Sequence, residues 1–395
     1  MKRLMKYIIY SMVFVFFFAC KNQQNQEVEE QNIEDVTVLT FKIHASVTNS
    51  EDDDAKEVIA LWKSFLLSKY FVQANNAMWS YTHSPIPDYY LMKLYLLLQR
   101  NEANLVNTIC TIIGVFPVEN DHMALKCMFE SEDQEDDTLE LMVSVYAKKE
   151  NGLYKLVGSP DYYRQQLATR TIGQITYYIH PEHKFDEALA TKMHQYNQYL
   201  ASEFRTDPIS FDYFVANYVR DATEIMGYDF TPKKYQAIQY GGLADKANST
   251  IYAGNNSEYY PHELVHLYTF QHAANQYHPW VDEGIATFYG GSGGESLDWH
   301  LNKLKLFLEQ HPDYPLNDLS KLNIDIPNGE HKTDFRYAIG GLIMKNIYEL
   351  EGMRGFFESL TAGRQEADFF KLLESKLGVQ KTDFEQYIRG ELVEL

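Results

Sequence analysis

The sequence predicts an α+β protein in two parts: a smaller α+β domain, then a larger domain that joins a small sheet to a mostly helical second half. Three observations predict it. Short runs of alternating apolar residues crowd the stretch from residue 107 to 157. After Gly291 the apolar residues recur almost throughout at helical spacing. With its short apolar leader set aside, a chain of 395 residues is long enough for two cores. The boundaries read as a leader at 1–20, a tether at 21–35, a first domain at 36–165 and a second at 166–395.

The leader carries Lys2, Arg3 and Lys6, then runs apolar from Tyr7 to Ala19 and reaches Cys20. That apolar run is short for a bilayer span and suits the central region of a secretory signal peptide. A Cys directly after a small residue resembles a bacterial lipoprotein signal. The resemblance implies a lipid on Cys20, which becomes the mature N-terminus, and a place in the cell envelope outside the cytoplasm, at the outer membrane or cell surface. An uncleaved short anchor is the alternative. Lys21 to Asp35 is rich in Gln, Asn and Glu and reads as a solvated tether. The formal charge is -20, and dropping the three leader cations takes it to -23. Such acidity excludes nucleic acid and anionic membrane surfaces as partners, so the membrane is reached only through the Cys20 lipid.

In the first domain, Val36–Phe41 alternates like a strand. Ala55 to Trp79 carries a helical pattern through Ile59, Trp62, Leu66, Tyr70 and Phe71, and a second helix covers Tyr89 to Gln99. The acidic run Glu51–Asp54 reads as the cap of the first helix, because it lacks the alternating ligands and Gly of a calcium loop. Strands follow at 107–115, 122–130, 138–147 and 154–157, with a hairpin centred near Pro117–Val118 and a turn at Asn151–Gly152. This element order resembles the nuclear-transport-factor-like cone. Cys110 and Cys127 fall on consecutive strands, where a cross-strand disulfide and a pair of buried thiols are both open readings.

The second domain begins with a strand-like run at Thr171–Ile179, a helix at Phe185–Phe204, a strand at Phe211–Ala216 and a short helix ending at Gly227. Strands at Ile238–Leu243 and Ser249–Tyr252 come next. Beyond Gly291 helices are expected at Ser296–Gln310, Phe335–Leu350, Arg354–Leu360, Ala367–Lys376 and Lys381–Leu392. Pro312, Pro315 and Pro327 confine the one long irregular section to about 311–333.

Between these halves lies the stretch from Tyr259 to Gly291. His262 and His266 are four residues apart, so on a helix both imidazoles leave one face and can hold one metal ion. Glu263 beside them is placed to take a proton from a water on that metal. Asn275 and Pro279 break the helix, and a second begins near Trp280 with Glu283-Gly284-Ile285-Ala286. A Glu facing the first helix supplies a third ligand and leaves the fourth position of a tetrahedral Zn²⁺ open.

HELVH, with Glu283 following His266 after 16 intervening residues in WVDEGIATFYGG, resembles the gluzincin metallopeptidases, the group related to thermolysin and aminopeptidase N. The likeness covers roughly Thr171 to the C-terminus. It implies a thermolysin-like domain with one Zn²⁺ on His262, His266 and Glu283, Glu263 as general base, and a peptide or protein substrate. Tyr337-Ala338-Ile339-Gly340-Gly341 resembles the Tyr-x-x-Gly segment of these enzymes, which implies that the Tyr337 hydroxyl stabilises the oxyanion. Gly241, Gly242, Leu243 and Ala244 stand where the family places a substrate-binding edge strand. Aminopeptidase members carry there a Glu that grips the substrate amine. Ala244 occupies that position here, which favours an endopeptidase.

A competing third ligand is His272, six residues beyond His266 as in the metzincin pattern, although Thr269 stands where that pattern needs a chain-turning Gly. Thr287, one turn after Glu283, is expected to pack or to bond a ligand. A different class of function is a silent zinc-containing scaffold that binds a polypeptide or glycan on the envelope. A structural site has no need of a base such as Glu263.

Overall fold

In the computed structural model, which describes residues 39–48, 52–68, 76–80, 91–104, 106–132, 137–231, 239–322, 325–326 and 333–393, the alternating runs of the first half become one sheet. Cys20, its leader and the tether lie outside the described residues. The sheet opens with β1 (Leu39–Ile43), and the chain passes through α1 (Ala45–Thr48), α2 (Asp53–Leu67) and α3 (Met92–Ala103). The sheet continues as β2 (Asn107–Val118), β3 (His122–Glu132), β4 (Asp137–Glu150) and β5 (Leu153–Val157). β1 is parallel to β2, and the rest is an antiparallel meander in chain order. Val58, Trp62 and Phe65 of α2 and Leu94 and Leu97 of α3 are buried with Ile112, Leu125, Phe129 and Val143 of the strands. This is the usual way for a sheet to cover one apolar face.

Several expectations are corrected here. α2 stops at Leu67 and does not run to Trp79, because Ser68 turns extended and both its N–H and its hydroxyl bond the Phe65 carbonyl. Trp79 instead bridges Leu156 at the edge of the sheet, while Tyr70 and Phe71 lie outside the described residues. The acidic run does cap the helix, with Asp52 accepting from the Asp54 N–H. The first hairpin turns at 119–121, where Asn120 and Asp121 adopt positive φ, and Pro117 and Val118 are still paired strand residues. Cys110 faces Phe129 and Cys127 faces Ile112 across the ladder, and both are free and buried.

The second half begins with α4 (Ser159–Gln166), β6 (Ala168–Ile172) and β7 (Ile175–Ile179). The single strand expected at Thr171–Ile179 is a hairpin in part, since Gly173 takes φ +60 and reverses the chain. There follow α5 (Glu187–Phe204), β8 (Phe211–Val215), α6 (Val219–Ile225), β9 (Tyr228–Phe230), β10 (Gly241–Asp245) and β11 (Thr250–Gly254). The second sheet has the order β10-β11-β8-β7-β6, with β10 at one edge and antiparallel to β11. Its residues alternate between two cores. Tyr177, Tyr213, Ile251 and Ala253 join the helical half, whereas Tyr178, Phe214 and Tyr252 stack ring on ring and join the core of the first sheet.

β9 pairs with β4 through Met142 and Val143. A strand from beyond residue 165 therefore joins the first sheet, and residues from both sides of that position share the core beneath it. The described residues gather as one compact unit.

The helical half contains α7 (Pro261–Ala273), α8 (Pro279–Gly290), α9 (Leu297–Gln310), α10 (Phe335–Glu351), α11 (Met353–Ser359), α12 (Glu366–Leu377) and α13 (Phe384–Val393). A small ribbon of β12 (Asp325–Ile326) and β13 (Thr333–Asp334) lies within the proline-rich section. The molecule is thus mixed α+β with small sheets. Among the described residues no helix is long and apolar enough to cross a membrane.

Candidate metal centre

Pro261 opens α7 at the first helical position, where its missing N–H costs nothing. Tyr260 before it is held in a non-helical conformation. The loop feeding this helix is pinned by a buried pair: His183 Nε2 lies 2.7 Å from Glu258 Oε1, and His183 Nδ1 lies 2.9 Å from Asn217 Oδ1. Burial alone would depress the imidazole pKa, but Glu258 and Asn217 raise it above the ordinary value. α8 starts at Pro279 with the His278 side chain accepting from the Trp280 N–H.

Glycines set how closely these helices approach. A Cβ on Gly290 would come 2.5 Å from His262 N, and one on Gly284 would come 2.4 Å from Gly340 O. The Gly after Glu283 and the Gly of the Tyr337 segment are therefore the contact point of α8 with α10.

That packing brings three expected residues together. His262 Nε2 lies 3.2 Å from Glu283 Oε2 and 3.2 Å from His266 Nε2, and His266 Nε2 lies 3.6 Å from Glu283 Oε2. These three side chains form a group able to hold a metal ion. A tetrahedral ion with bonds of about 2.0–2.1 Å sets its ligand atoms about 3.3 Å apart, and the separations bracket that value.

The far side of each imidazole explains the tautomer. His262 Nδ1 lies 2.6 Å from the Gly291 carbonyl, and His266 Nδ1 lies 3.1 Å from Asp282 Oδ1. The His262 ring is hydrogen-bonded there, the His266 ring sits in ion-pair range of Asp282, and both turn Nε2 toward Glu283. Asp282 also accepts from Thr269 Oγ1 at 2.6 Å and from Lys246 Nζ at 2.9 Å. Burial opposes its ionisation, yet His266 and Lys246 hold its carboxyl down at about 2. Burial likewise disfavours charge on His266 and Glu283. The carboxylates of Asp282 and Glu283 nevertheless raise the His266 pKa well up, and the two histidines hold Glu283 well down.

Glu263 is buried on the first turn of α7. Tyr337, on the first turn of α10, meets the His262 ring edge-on with centroids 5.7 Å apart. Burial and the nearby Glu283 carboxylate push its pKa well up, so its hydroxyl remains a donor. Next to it, His300 Nε2 donates to the Ser292 carbonyl at 3.0 Å, and its Nδ1 lies 2.5 Å from the Thr333 hydroxyl. Burial lowers its pKa to about 4, which leaves it neutral and donating to Ser292.

Gly241, Gly242, Leu243 and Ala244 lie on the edge strand β10, against which α7 packs. Ala244 is buried in the core shared with α7. His272 is not gathered into the group: it is exposed near the end of α7 and stacks on Phe357 at 4.2 Å. The Thr287 hydroxyl is buried without a hydrogen-bond partner, so this residue packs. Asp282, Thr269, Lys246 and His300 were not singled out as site residues from the sequence. For Asp282 a signal was present, because a carboxylate next to a ligand on the facing helix can reach the outer nitrogen of the second His.

Neither a protein-family model nor a curated protein matches this sequence.

Proposed function

We propose that this chain is a zinc-dependent peptidase with a gluzincin-type catalytic half, acting as an endopeptidase on extended polypeptides. The observation that carries the reading is the convergence of His262 Nε2, His266 Nε2 and a Glu283 oxygen at tetrahedral separations, with Glu263 and Tyr337 on the neighbouring first turns of α7 and α10. A zinc ion held by those three residues would supply Lewis-acid polarisation of a carbonyl and a more acidic water.

The chain's own groups do the rest. Glu263 takes the proton of the attacking water and returns it to the departing amine. The Tyr337 hydroxyl donates to the oxygen that becomes negative as the carbonyl carbon turns tetrahedral. β10 pairs on one side with β11 and, among the described residues, with no strand on the other. We read this edge as the place where a substrate strand adds through backbone bonds regardless of sequence. No carboxylate at position 244 waits for a free amine, and that of the adjacent Asp245 is engaged by the N–H and side-chain amide of Asn248. This supports cleavage within a chain over cleavage at its N-terminus. The leader supports placement outside the cytoplasm through a lipid on Cys20.

The test is zinc content measured together with hydrolysis of a mixed peptide library, for the full chain and for Glu263→Gln. One equivalent of zinc in both, with internal cleavage abolished in the variant, is the expected result. Equal zinc with no cleavage in either protein supports a zinc-containing scaffold instead.

A further inference from the structure

His262 takes its orientation from a turn with little stiffness of its own. The chain leaves α8 at Gly291 and enters α9 through Ser292-Gly293-Gly294-Glu295, and the three glycines adopt positive φ, from +60 to +88. Such backbone is costly to fix in one conformation. Yet the Gly291 carbonyl is held 2.6 Å from His262 Nδ1. Two ties hold it there. The Ser292 N–H, which shares a planar peptide with that carbonyl, donates to Glu295 O at 2.9 Å, and Glu295 N donates back to Ser292 O at 3.0 Å. The second tie is His300, buried on α9, whose Nε2 lies 3.0 Å from the same Ser292 carbonyl. A carbonyl only accepts, so Nε2 carries the proton, and Nδ1 of the neutral ring accepts from the Thr333 hydroxyl 2.5 Å away. The mechanism above leaves His300 unused.

We propose that His300 is a positioning residue for the metal centre: its Nε2–H pins the Ser292 carbonyl and thereby keeps the neighbouring Gly291 carbonyl on His262 Nδ1, while Thr333 sets its tautomer. The inference rests on the reading of His262 as a zinc ligand. A ligand imidazole whose outer nitrogen loses its partner is free to rotate or to move its proton, and metal affinity falls accordingly. His300 contacts none of the three ligand atoms and acts only through the turn. Its other tie leads toward Tyr337. Asp334, the residue after Thr333, caps α10 by accepting from the Arg336 N–H at 2.7 Å. The Tyr337 ring on that helix lies edge-on to both His262 and His300, with centroids 5.7 and 6.2 Å away. One buried ring thus links the segments that present the first ligand and the proposed oxyanion donor.

The experiment compares the full chain with His300→Gln and His300→Asn. Zinc affinity is read by chelator competition, ligand geometry by the visible absorption of cobalt bound in place of zinc, and stability by melting of the metal-free chain. The Gln amide nitrogen stands where Nε2 does and reaches Ser292, whereas the shorter Asn does not. His300→Asn is expected to weaken zinc binding roughly 10- to 100-fold and to change the cobalt spectrum, and His300→Gln to keep both near those of the full chain. Equal affinity in the two variants, whether kept or lost, overturns the proposal, because a ring that merely fills space does not distinguish them. Thr333→Val keeps the ring and decides the matter if neither variant folds: it should weaken zinc binding in the same direction, and full affinity there overturns the proposal. A full chain that binds no zinc ends the metal reading and the role of His300 with it. A chain that binds zinc but cleaves no peptide still decides the role of His300, so the two readings fail separately.

Discussion

Asn101, in the first half, and the His262, His266 and Glu283 group, in the second, both sit in buried polar clusters, and they differ in what they leave over. Asn101 donates to Thr108 Oγ1 at 2.8 Å and to Ser131 Oγ at 2.9 Å. Ser131 in turn donates to Glu140 at 2.9 Å, and Glu140 also receives Arg100. Donors and acceptors match, and the cluster closes on itself. Around Glu283, His262 Nδ1 is hydrogen-bonded outward to Gly291 and His266 Nδ1 lies 3.1 Å from Asp282. Two imidazole Nε2 atoms and a carboxylate oxygen then face a common point. Three such atoms packed together call for a cation or for shared protons. Such an imbalance distinguishes a site that binds something from a knot that only holds the fold.

The largest expected effect that tests this contrast is at Tyr337. On the proposed peptidase reading, Tyr337→Phe should cut turnover roughly 10²–10³-fold with zinc content retained, because it removes the proposed oxyanion donor and touches none of the three ligand atoms. Asp282→Asn comes next. Without the outer carboxylate His266 loses the partner that fixes its tautomer, and zinc affinity should fall roughly 10- to 100-fold in chelator competition. Gly340→Ala acts through packing: its Cβ would sit 2.7 Å from the Trp280 carbonyl and 3.3 Å from Gly284 Cα. Thermal or urea unfolding should show a loss of about 1–3 kcal/mol. The smallest expected effect on the metal belongs to Asn101→Ala. It should cost about 1–3 kcal/mol of stability by orphaning buried hydroxyls and leave zinc affinity where it was. A matching drop in zinc affinity there would break the comparison.

Much of the site could be read from sequence because its chemistry is local. Two imidazoles one turn apart are set by helix geometry alone, and His262 and His266 lie as that spacing requires. The glycines following Glu283 and Tyr337 marked both segments, but their physical purpose, the contact of α8 with α10, exists only in three dimensions. Lys246 and Thr269 reach Asp282 from a turn and from another helix, and no periodicity records such a meeting. His300 was one histidine among several until its ring was seen to bond the turn that meets His262. In the fold, strand runs in the meander were legible because alternation survives wherever one face is buried. The end of α2 was not, since the apolar residues beyond Ser68 continue a helical pattern that the Ser68 backbone abandons. The hairpin at Gly173 was hidden for the opposite reason, because two short strands joined by a tight turn look like one long run.

β9 carries a consequence for how this protein can be handled and how it can have arisen. Three residues from the second half, Tyr228–Phe230, pair with the sheet of the first half, and the stacked rings of Tyr178, Phe214 and Tyr252 lie in the same core. A fragment beginning at residue 166 would carry an orphan strand and a bared aromatic face into solvent. The two halves are therefore not interchangeable cassettes. A recombination event or an expression design that cuts between them is expected to yield aggregate, not a smaller folded protein.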